Sequence, residues 1–515
     1  MAFTDIDVLM RQAAQRHPER PALADASQAL SWGQLDARVN RIANAIIASD
    51  LKPGERAALL AENSIAAVCV LFGIQRAGCC VVPLSTALTS KAIDAMLNDS
   101  QSRLVFVSKQ ILGQIRPNDL AGNSAFSVPE IVLDRGGESS LDRFIEDFSD
   151  QKPDIELDPA LGFNIIYSSG TTGNPKGILQ DRRYRANDCG QTIKRFAMNQ
   201  NTATIVSTPL YSNTTLFSFL AVMAAGGFAY LMSRFEESVF FELCEKHQPT
   251  HVALVPVQYQ RLLQHPDFDT FDLSSFLAKF STSAPFSAAL KRETLVRWPA
   301  GGLFEFYGMT EGGISTELAA HNHLDKLNTV GRPDAGVEVK FLGEDGQLLQ
   351  PGECGEILGR SSVMMTEYVN KPEATAAAEW RDSDGRRFIR TGDIGWQDED
   401  GFIHLVDRKK DVIISGGFNI YASDLEAVLS CQTEISEVSV VAGPSEQWGE
   451  TPVAFVVPHN PGAFDAGRAL ERANKRLGKV QRISEIRMTD ALPRSPIGKI
   501  LKRELKQRLF NQDSG

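Results

Sequence analysis

The most constraining feature of this 515-residue chain is the run from Tyr167 to Ile178. Three apolar residues precede it, at positions 163, 165 and 166, as in a buried strand. Residues 168–177 then contain three glycines, four hydroxyls and Lys176. Glycine lets backbone N–H groups approach an anion, hydroxyls donate hydrogen bonds and lysine adds a positive charge. The run therefore predicts a buried strand followed by a triphosphate-binding loop, with a plain surface loop as the alternative.

Length, charge and cysteines narrow the class of protein. A chain of 515 residues is too long for one core, so we expect at least two domains. The net charge of −11 argues against nucleic acid as the main partner. The seven cysteines are scattered without a C-x-x-C pair, which indicates neither a disulfide scaffold nor a zinc site. With no signal-peptide pattern at the start, we expect a cytoplasmic protein.

The pattern of apolar residues predicts an α/β fold. Strand-like and helix-like segments alternate over residues 30–255, which is typical of parallel sheets flanked by helices. The apolar stretch 216–232 contains a Gly-Gly pair and is short for a membrane span, so it predicts a buried helix, a turn and a strand, with no transmembrane segment. Hairpin-like strands follow residue 328. We predict a large N-terminal domain of parallel and mixed sheets (1–407), its β-rich, barrel-like subdomain (about 330–407) and a small α+β C-terminal domain (408–515).

Two further motifs contain groups suited to a nucleotide. In the run 304–311, an aromatic side chain precedes Thr310 and Glu311. Such a side chain can stack on a purine, and a carboxylate suits a hard cation such as Mg²⁺. In the run 390–393, Asp393 follows a Thr-Gly pair and could accept hydrogen bonds from both ribose hydroxyls. Each motif alone also fits a structural turn.

The last two motifs lie in the C-terminal domain. Paired glycines at 416 and 417 would let the backbone pass close to a thin ligand. Lys499 ends the run Pro493-Arg494-Ser495-Pro496-Ile497-Gly498-Lys499. A flexible lysine can neutralise negative charge that develops on reacting oxygens. A solvated lysine before a helix is the alternative.

These motifs, in this order over about residues 8 to 510, resemble those of the adenylate-forming superfamily, which includes the AMP-forming acyl- and aryl-CoA synthetases. The resemblance implies that a carboxylic acid is activated by ATP to an acyl-adenylate and then joined to a thiol. It also implies Mg²⁺ as a cofactor and CoA as a co-substrate. The C-terminal domain would rotate about Lys410. Lys499, Thr310 and Glu311 would take part in catalysis, and Glu311 would hold the metal. The nucleotide-binding residues that it implies are Ser168, Ser169, Gly170, Thr171, Thr172, Gly173, Lys176, Ser283, Ala284, Glu305, Phe306, Tyr307, Gly308, Thr310, Asp393 and Arg408.

The resemblance is less specific for the acid and for the acceptor. Ser212 stands where many relatives have histidine, so no relative's specificity transfers directly. We expect a medium-chain fatty acid or an aryl or aryl-alkanoic acid. The residues implied for the acyl pocket are Tyr211, Ser212, Asn213, Gly308 and Met309, and those implied for CoA are Ser415, Gly416, Gly417 and Trp448.

Three matters stay open at the level of sequence. A separate carrier protein is the alternative acceptor to CoA, and a binding module without catalysis is a further alternative, although Lys499, Glu311 and Asp393 are all retained. The spacing of Pro493, Gly498 and Lys499 resembles the site that bacterial lysine acetyltransferases modify in CoA ligases, which makes such an enzyme a candidate partner. The chain is expected to be a monomer or a homodimer.

Overall fold

Contacts divide the chain into two compact units, each described here by itself. The structure is a computed structural model, and it describes residues 3–115, 126–134, 140–168, 176–416, 418–478, 481–495 and 498–511. Unit 1 comprises Met1–Leu327, Asp334–Val337 and Arg360–Ile389, and unit 2 comprises Asn328–Pro333, Glu338–Gly359 and Arg390–Gly515.

The α-helices in the described residues cover both units. They are α1 Ile6–Arg16, α2 Trp32–Ala48, α3 Ile65–Arg76, α4 Ser90–Ser100, α5 Lys109–Ile115, α6 Leu141–Ile145, α7 Arg182–Arg195, α8 Asn213–Ala224, α9 Glu237–His247, α10 Pro256–Gln264, α11 Ala288–Arg297, α12 Pro372–Ala377, α13 Ala422–Ser430, α14 Ala466–Arg476 and α15 Lys502–Asn511. Within the ranges that the structure describes, no helix is both long enough and apolar enough to cross a membrane.

The strands begin near the N-terminus and continue into the last part of unit 2. They are β1 Pro21–Ala24, β2 Ala29–Ser31, β3 Arg56–Leu60, β4 Cys80–Pro83, β5 Ser102–Val107, β6 Glu130–Val132, β7 Gly162–Ser168, β8 Lys176–Asp181, β9 Ala203–Val206, β10 Phe228–Leu231, β11 His251–Leu254, β12 Ala278–Ser281, β13 Gly302–Gly308, β14 Ser315–Ala319, β15 Arg332–Pro333, β16 Glu338–Leu342, β17 Gly355–Arg360, β18 Glu367–Tyr368, β19 Glu379–Arg381, β20 Arg387–Gln397, β21 Ile403–Arg408, β22 Ile413–Ser415, β23 Phe418–Ile420, β24 Ile435–Ser445, β25 Gly449–Pro458 and β26 Glu485–Met488.

Unit 1 contains two mixed sheets. One has the strand order β14-β13-β12-β11-β9-β10-β1-β2, and the other has the order β18-β8-β7-β4-β3-β5-β6. Pairs such as β3 with β4 and β12 with β13 are parallel, whereas β13 with β14 and β7 with β8 are antiparallel. Helices α2 and α3 bury apolar residues in a shared core with strands of both sheets. The predicted parallel sheets flanked by helices are therefore confirmed.

The apolar stretch 216–232 folds as its composition predicts. It forms most of α8, a turn at Gly226 and Gly227, and then β10. Gly226 has a φ of 76°, a backbone conformation that favours glycine. A Cβ atom on Gly227 would lie 2.5 Å from the carbonyl oxygen of Thr202, so this turn has no room for a side chain. The two glycines thus let the chain return from the helix to the edge of β9.

Unit 2 is built from two further sheets. Strands β16, β17, β20 and β21 form one of them, with β20 and β21 antiparallel. The other has the order β23-β22-β25-β24, and β26 is parallel to β25. Helices α13 and α14 pack on the second sheet around Leu425, Leu429 and Ala473. Helices α13, α14 and α15 and strands β22 to β26 all lie within residues 408–515.

The compact units divide the β-rich segment differently from the predicted domains. Residues 338–359 and 390–407 belong to the same unit as the C-terminal residues, whereas 360–389 belong to unit 1. The segment 360–389 is held in unit 1 by the pairing of β18 with β8. A domain boundary between residues 407 and 408 therefore stays a prediction.

Candidate active site

The predicted phosphate loop joins two antiparallel strands of unit 1. Ser168 ends β7 and lies opposite Lys176, which begins β8. The predicted contacts of Ser169, Gly170, Thr171, Thr172 and Gly173 lie outside the described residues. The side chain of Lys176 is half-buried, and its Nζ lies 4.8 Å from the centre of the Tyr368 ring. The first described residue after the loop is therefore a lysine whose ammonium lies close to an aromatic ring.

The Thr310–Glu311 turn follows the end of β13. The amide of Gly312 donates to the carbonyl of Met309 at 3.0 Å, which closes the turn. One carboxylate oxygen of Glu311, Oε1, accepts a hydrogen bond from the hydroxyl of Tyr368 at 2.6 Å. Burial and this carboxylate raise the pKa of the Tyr368 hydroxyl above its ordinary value, so that the hydroxyl remains a donor.

A buried polar network holds the same turn from the other side. Gln180 Nε2 donates to the carbonyl of Thr310 at 2.7 Å, and Asn164 Nδ2 donates to Gln180 Oε1 at 2.7 Å. Arg185 Nε donates to Asn164 Oδ1 at 2.7 Å, while its Nη2 donates to Asn213 Oδ1 at 2.8 Å. The side chains at 164, 180 and 185 are fully buried. The network joins the predicted nucleotide turn to a predicted residue of the acyl pocket.

The other nucleotide residues predicted in unit 1 lie along β12 and β13. Glu305 is buried against Lys291, and Phe306 packs in an aromatic cluster with Phe217 and Phe280. Both side chains therefore have partners within the protein, and a direct role for either in nucleotide binding stays a prediction. Ser283 follows β12 with a φ of 78°. This left-handed conformation is one that residues other than glycine rarely adopt.

The residues predicted for the acyl pocket surround the start of α8 and the end of β13. Ser212 is buried and caps α8, since its Oγ accepts from the amide of Thr214 at 3.3 Å. Tyr211 is half-buried, Gly308 is exposed, and Met309 packs against the cluster of Ile178, Met365 and Tyr368. Nothing in these contacts identifies the acid.

In unit 2, the antiparallel pairing of β20 with β21 brings two predicted nucleotide-binding residues together. Asp393 lies directly opposite Arg408, and Arg408 Nε lies 2.7 Å from Asp393 Oδ1. The Asp393 side chain is 9% exposed and the Arg408 side chain is 41% exposed, so the pair reaches the surface through its arginine. Lys410, the predicted hinge, lies in the turn that the amide of Asp411 closes by donating to the carbonyl of Arg408 at 2.8 Å.

Lys499 lies close to this pair. The amide of Ser495 donates to the carbonyl of Lys499 at 2.8 Å, and Lys499 N donates to Ser495 Oγ at 3.2 Å, which fixes the backbone of the lysine. Burial, followed by the positive charges of Arg408 and Lys410, lowers the pKa of Lys499 to about 8, against the opposing effect of Asp393. The fold of unit 2 thus places Lys499 near two further cations, Arg408 and Lys410, and near the carboxylates of Asp393 and Asp411.

The predicted CoA loop is also in unit 2. Gly416 has a φ of 56°, and its amide donates to the carbonyl of Trp448 at 2.9 Å. A Cβ on Gly416 would lie 2.7 Å from the Trp448 ring, so only glycine fits against this indole. Ser415 pairs with Gly449, and the Trp448 side chain is 52% exposed. Gly417 lies outside the described residues.

Comparison with known proteins identifies the family. Residues 10–369 match the model of the AMP-binding enzyme family, and residues 424–499 match the model of the AMP-binding enzyme C-terminal domain.

The chain belongs to the AMP-binding enzyme family.

Similar proteins cover nearly the whole chain. The indoleacetate–CoA ligase of Aromatoleum aromaticum is 31% identical over 95% of each chain. The feruloyl-CoA synthase of an Amycolatopsis species is 30% identical over 96% of this chain and 97% of its own. The solved structure of ATP-bound MatB from Rhodopseudomonas palustris aligns with a TM-score of 0.87 at 26% identity, over 98% of this chain and 99% of that one. The predicted fold class is thereby confirmed.

The lowered pKa of Lys499 predicts that the activity of this AMP-binding enzyme depends on pH. Because the pKa of Lys499 is lowered to about 8, its ammonium is lost as the pH rises through that value. We expect kcat/KM for ATP in pyrophosphate release to fall above about pH 8, since this ratio reports ionisation of the free enzyme. The variant Lys499→Arg keeps its charge and should lack this fall, whatever its absolute rate. A fall that persists unchanged in Lys499→Arg would assign it to another group.

Two features of the candidate site were absent from the sequence-based predictions. Tyr368 precedes Val369-Asn370-Lys371-Pro372, a run that predicts only a strand end before a helix. The buried polar network of Asn164, Gln180 and Arg185 is the second feature. Its residues lie in two strands and a helix whose other residues have the pattern of a core. Both features depend on contacts between segments far apart in sequence, and such contacts leave no local pattern.

Proposed function

We propose that the protein uses ATP to activate a medium-chain or aryl-alkanoic carboxylic acid and transfers the acyl group to CoA. The observation that carries this proposal is the match to both family models together with relatives named as ligases of indoleacetate and ferulate, which are aromatic acids.

In the first half-reaction, a carboxylate oxygen attacks the α-phosphorus of ATP, and the bond to pyrophosphate breaks. Lys176 would contact phosphate oxygens, while Asp393 would accept hydrogen bonds from the ribose. Lys499 would neutralise charge that develops on the oxygens around the reacting phosphorus. In the second half-reaction, the thiolate of CoA attacks the acyl carbon and AMP leaves.

The described residues fit Mg²⁺ bound mainly by ATP. No group of three or more His, Cys, Asp and Glu side chains that could hold a metal is found in the described ranges, and Glu311 is the carboxylate of the nucleotide turn. Mg²⁺ is commonly held by one or two carboxylates together with substrate phosphates, where it neutralises phosphate charge. Glu311 would supply that carboxylate, with Tyr368 holding one of its oxygens.

The activity can be tested by pyrophosphate release against a panel of short, medium-chain, long-chain and aryl acids, with and without CoA. Release that depends on ATP and on one class of acid, with AMP and thioester formed only when CoA is added, is the expected result. Pyrophosphate and acyl-adenylate without thioester would favour a carrier protein as acceptor. Absence of pyrophosphate with every acid would contradict the proposal.

Ser212 offers a test of the acyl pocket. Replacing Ser212 with His adds an imidazole at a buried position, so we expect a change in which acid has the highest kcat/KM. Loss of the N-cap should also cost about 1 kcal/mol of stability. The variant Ser212→Ala loses the same cap without added bulk, so it separates the two effects. The same order of acid preference in the unmodified protein, Ser212→His and Ser212→Ala would show that Ser212 does not line the acyl pocket.

Acetylation of Lys499 belongs to the same proposal. It would remove the charge on which adenylation depends, while leaving the backbone turn at Ser495 intact. Incubation of the protein with a purified bacterial lysine acetyltransferase, followed by mass spectrometry, would test it, and an unmodified Lys499 would count against it.

A further inference from the structure

Tyr368 contacts two residues that the proposed function assigns to ATP. Its side chain is 6% exposed. The hydroxyl donates to Glu311 Oε1 at 2.6 Å, and the ring centre lies 4.8 Å from Lys176 Nζ. One side chain therefore contacts both the carboxylate of the nucleotide turn and the lysine that follows the phosphate loop.

The backbone around Tyr368 joins the same two elements. In β18, Tyr368 pairs with Ile178 of β8, the strand that begins at Lys176. Three residues before Tyr368, the amide of Met365 donates to the carbonyl of Glu311 at 2.7 Å. The segment 365–368 is thus hydrogen-bonded to the strand after the phosphate loop and to the turn that carries Glu311. Tyr368 is held in place by these bonds, so its side chain can orient others.

The chemistry of the contacts favours a role in binding. A glutamate has three rotatable side-chain bonds, and a carboxylate that must meet a cation gains from having its orientation fixed beforehand. A phenol hydroxyl that donates to one oxygen restricts the rotation of the carboxylate. The ring attracts the ammonium of Lys176 through its face, which limits where that charge lies.

We propose that Tyr368 is a positioning residue that orients Glu311 toward the metal of Mg·ATP and holds Lys176 beside it. The inference rests on the proposed function, because it takes Glu311 as the metal-binding carboxylate. Without such a role, the hydroxyl would serve only to join β18 to the nucleotide turn. The two cases differ in what happens to metal affinity when the hydroxyl alone is removed.

The variant Tyr368→Phe keeps the ring and its contact with Lys176 but loses the hydrogen bond to Glu311. We expect the apparent Mg²⁺ constant for pyrophosphate release, measured at fixed saturating ATP, to rise about 10- to 100-fold. We expect a similar weakening of Mn²⁺ binding to the protein with a non-hydrolysable ATP analogue, followed by electron paramagnetic resonance. Saturating Mg²⁺ should restore much of the rate.

The control is Tyr259→Phe. Tyr259 is fully buried in unit 1, and its hydroxyl donates to the carbonyl of Phe280 at 2.9 Å. This variant also loses one buried hydroxyl hydrogen bond, so it reproduces a loss of stability without touching Glu311. Its Mg²⁺ and Mn²⁺ constants should equal those of the unmodified protein.

The outcomes separate this inference from the proposed function. If Glu311→Gln weakens Mn²⁺ binding but Tyr368→Phe leaves both metal constants unchanged, the positioning role is overturned while Glu311 remains the ligand. If both tyrosine variants weaken metal binding equally, the effect is a general loss of stability and the inference also fails. If the unmodified protein releases no pyrophosphate with any acid, the proposed function itself is overturned.

Discussion

Replacing Lys499 with Ala should lower the rate of acyl-adenylate formation from acid and ATP by about 10²- to 10³-fold. Negative charge grows on the oxygens around the α-phosphorus as the carboxylate attacks, and Lys499 would neutralise it. The neighbouring Arg408 is paired with Asp393 at 2.7 Å and therefore cannot replace a free ammonium. Thioester formation from supplied acyl-adenylate should continue, because the thiol attacks the acyl carbon and no five-coordinate phosphorus is formed when AMP leaves.

The two half-reactions can be measured separately. Pyrophosphate release reports the first, and thioester formation from synthetic acyl-adenylate and CoA reports the second. Lys475→Ala is a matched control, since Lys475 lies in the same unit on α14 with a side chain that is 70% exposed. It removes the same charge from the surface and should change neither rate. Loss of both half-reactions in Lys499→Ala would show that the lysine is needed for more than adenylation.

The elements that bury one apolar face were predictable from the sequence. Strands and helices alternate over residues 30–255 as predicted, and α8, the turn at Gly226 and β10 follow the pattern of residues 216–232. In these segments the pattern of apolar residues and glycines sets the structure locally. The order of strands in the sheets could not be predicted in the same way, because pairings such as β1 with β10 join segments about 200 residues apart.

The candidate site likewise contains residues that could be predicted from the sequence and residues that could not. Glu311, Asp393 and Lys499 could be singled out because each lies in a short motif. Their partners could not: Tyr368 follows Glu311 by 57 residues, and Gln180 precedes Thr310 by 130. A tyrosine or glutamine in a strand carries no sign of the distant carboxylate or carbonyl that it will contact. The sequence thus identified groups that would touch ligands, and the structure was needed for the groups that orient them.

Breaking the buried pair of Lys291 and Glu305 should strongly destabilise unit 1. Lys291 Nζ contacts Glu305 Oε2 and donates to the carbonyl of Leu327 at 2.7 Å, with side chains that are 2% and 6% exposed. Replacing Lys291 with Met keeps the length of the side chain but leaves the carboxylate without its cation. We expect the free energy of unfolding to fall by up to about 3–5 kcal/mol at a pH above 7, where Glu305 is ionised in the unmodified protein.

The pH dependence of this loss follows from Glu305. Burial raises the pKa of Glu305 to about 7 even with Lys291 beside it, so removing the cation moves this pKa further upward. The unfolded carboxyl has its ordinary pKa of 4.5, and the folded protein therefore holds an extra proton above that value. Stability falls as the pH rises wherever the folded state binds more protons. The deficit of Lys291→Met should thus be small near pH 4.5 and grow as the pH rises through 7.

Urea denaturation followed by circular dichroism, at acid and at slightly alkaline pH, would measure both effects. The double variant Lys291→Met/Glu305→Met removes the carboxylate as well and fills the site with apolar groups, so it should recover most of the lost stability. Recovery would show that the loss in the single variant comes from an unpaired buried charge. A double variant as unstable as Lys291→Met, or a deficit that does not change with pH, would instead assign the loss to packing around Leu327 and the end of α11.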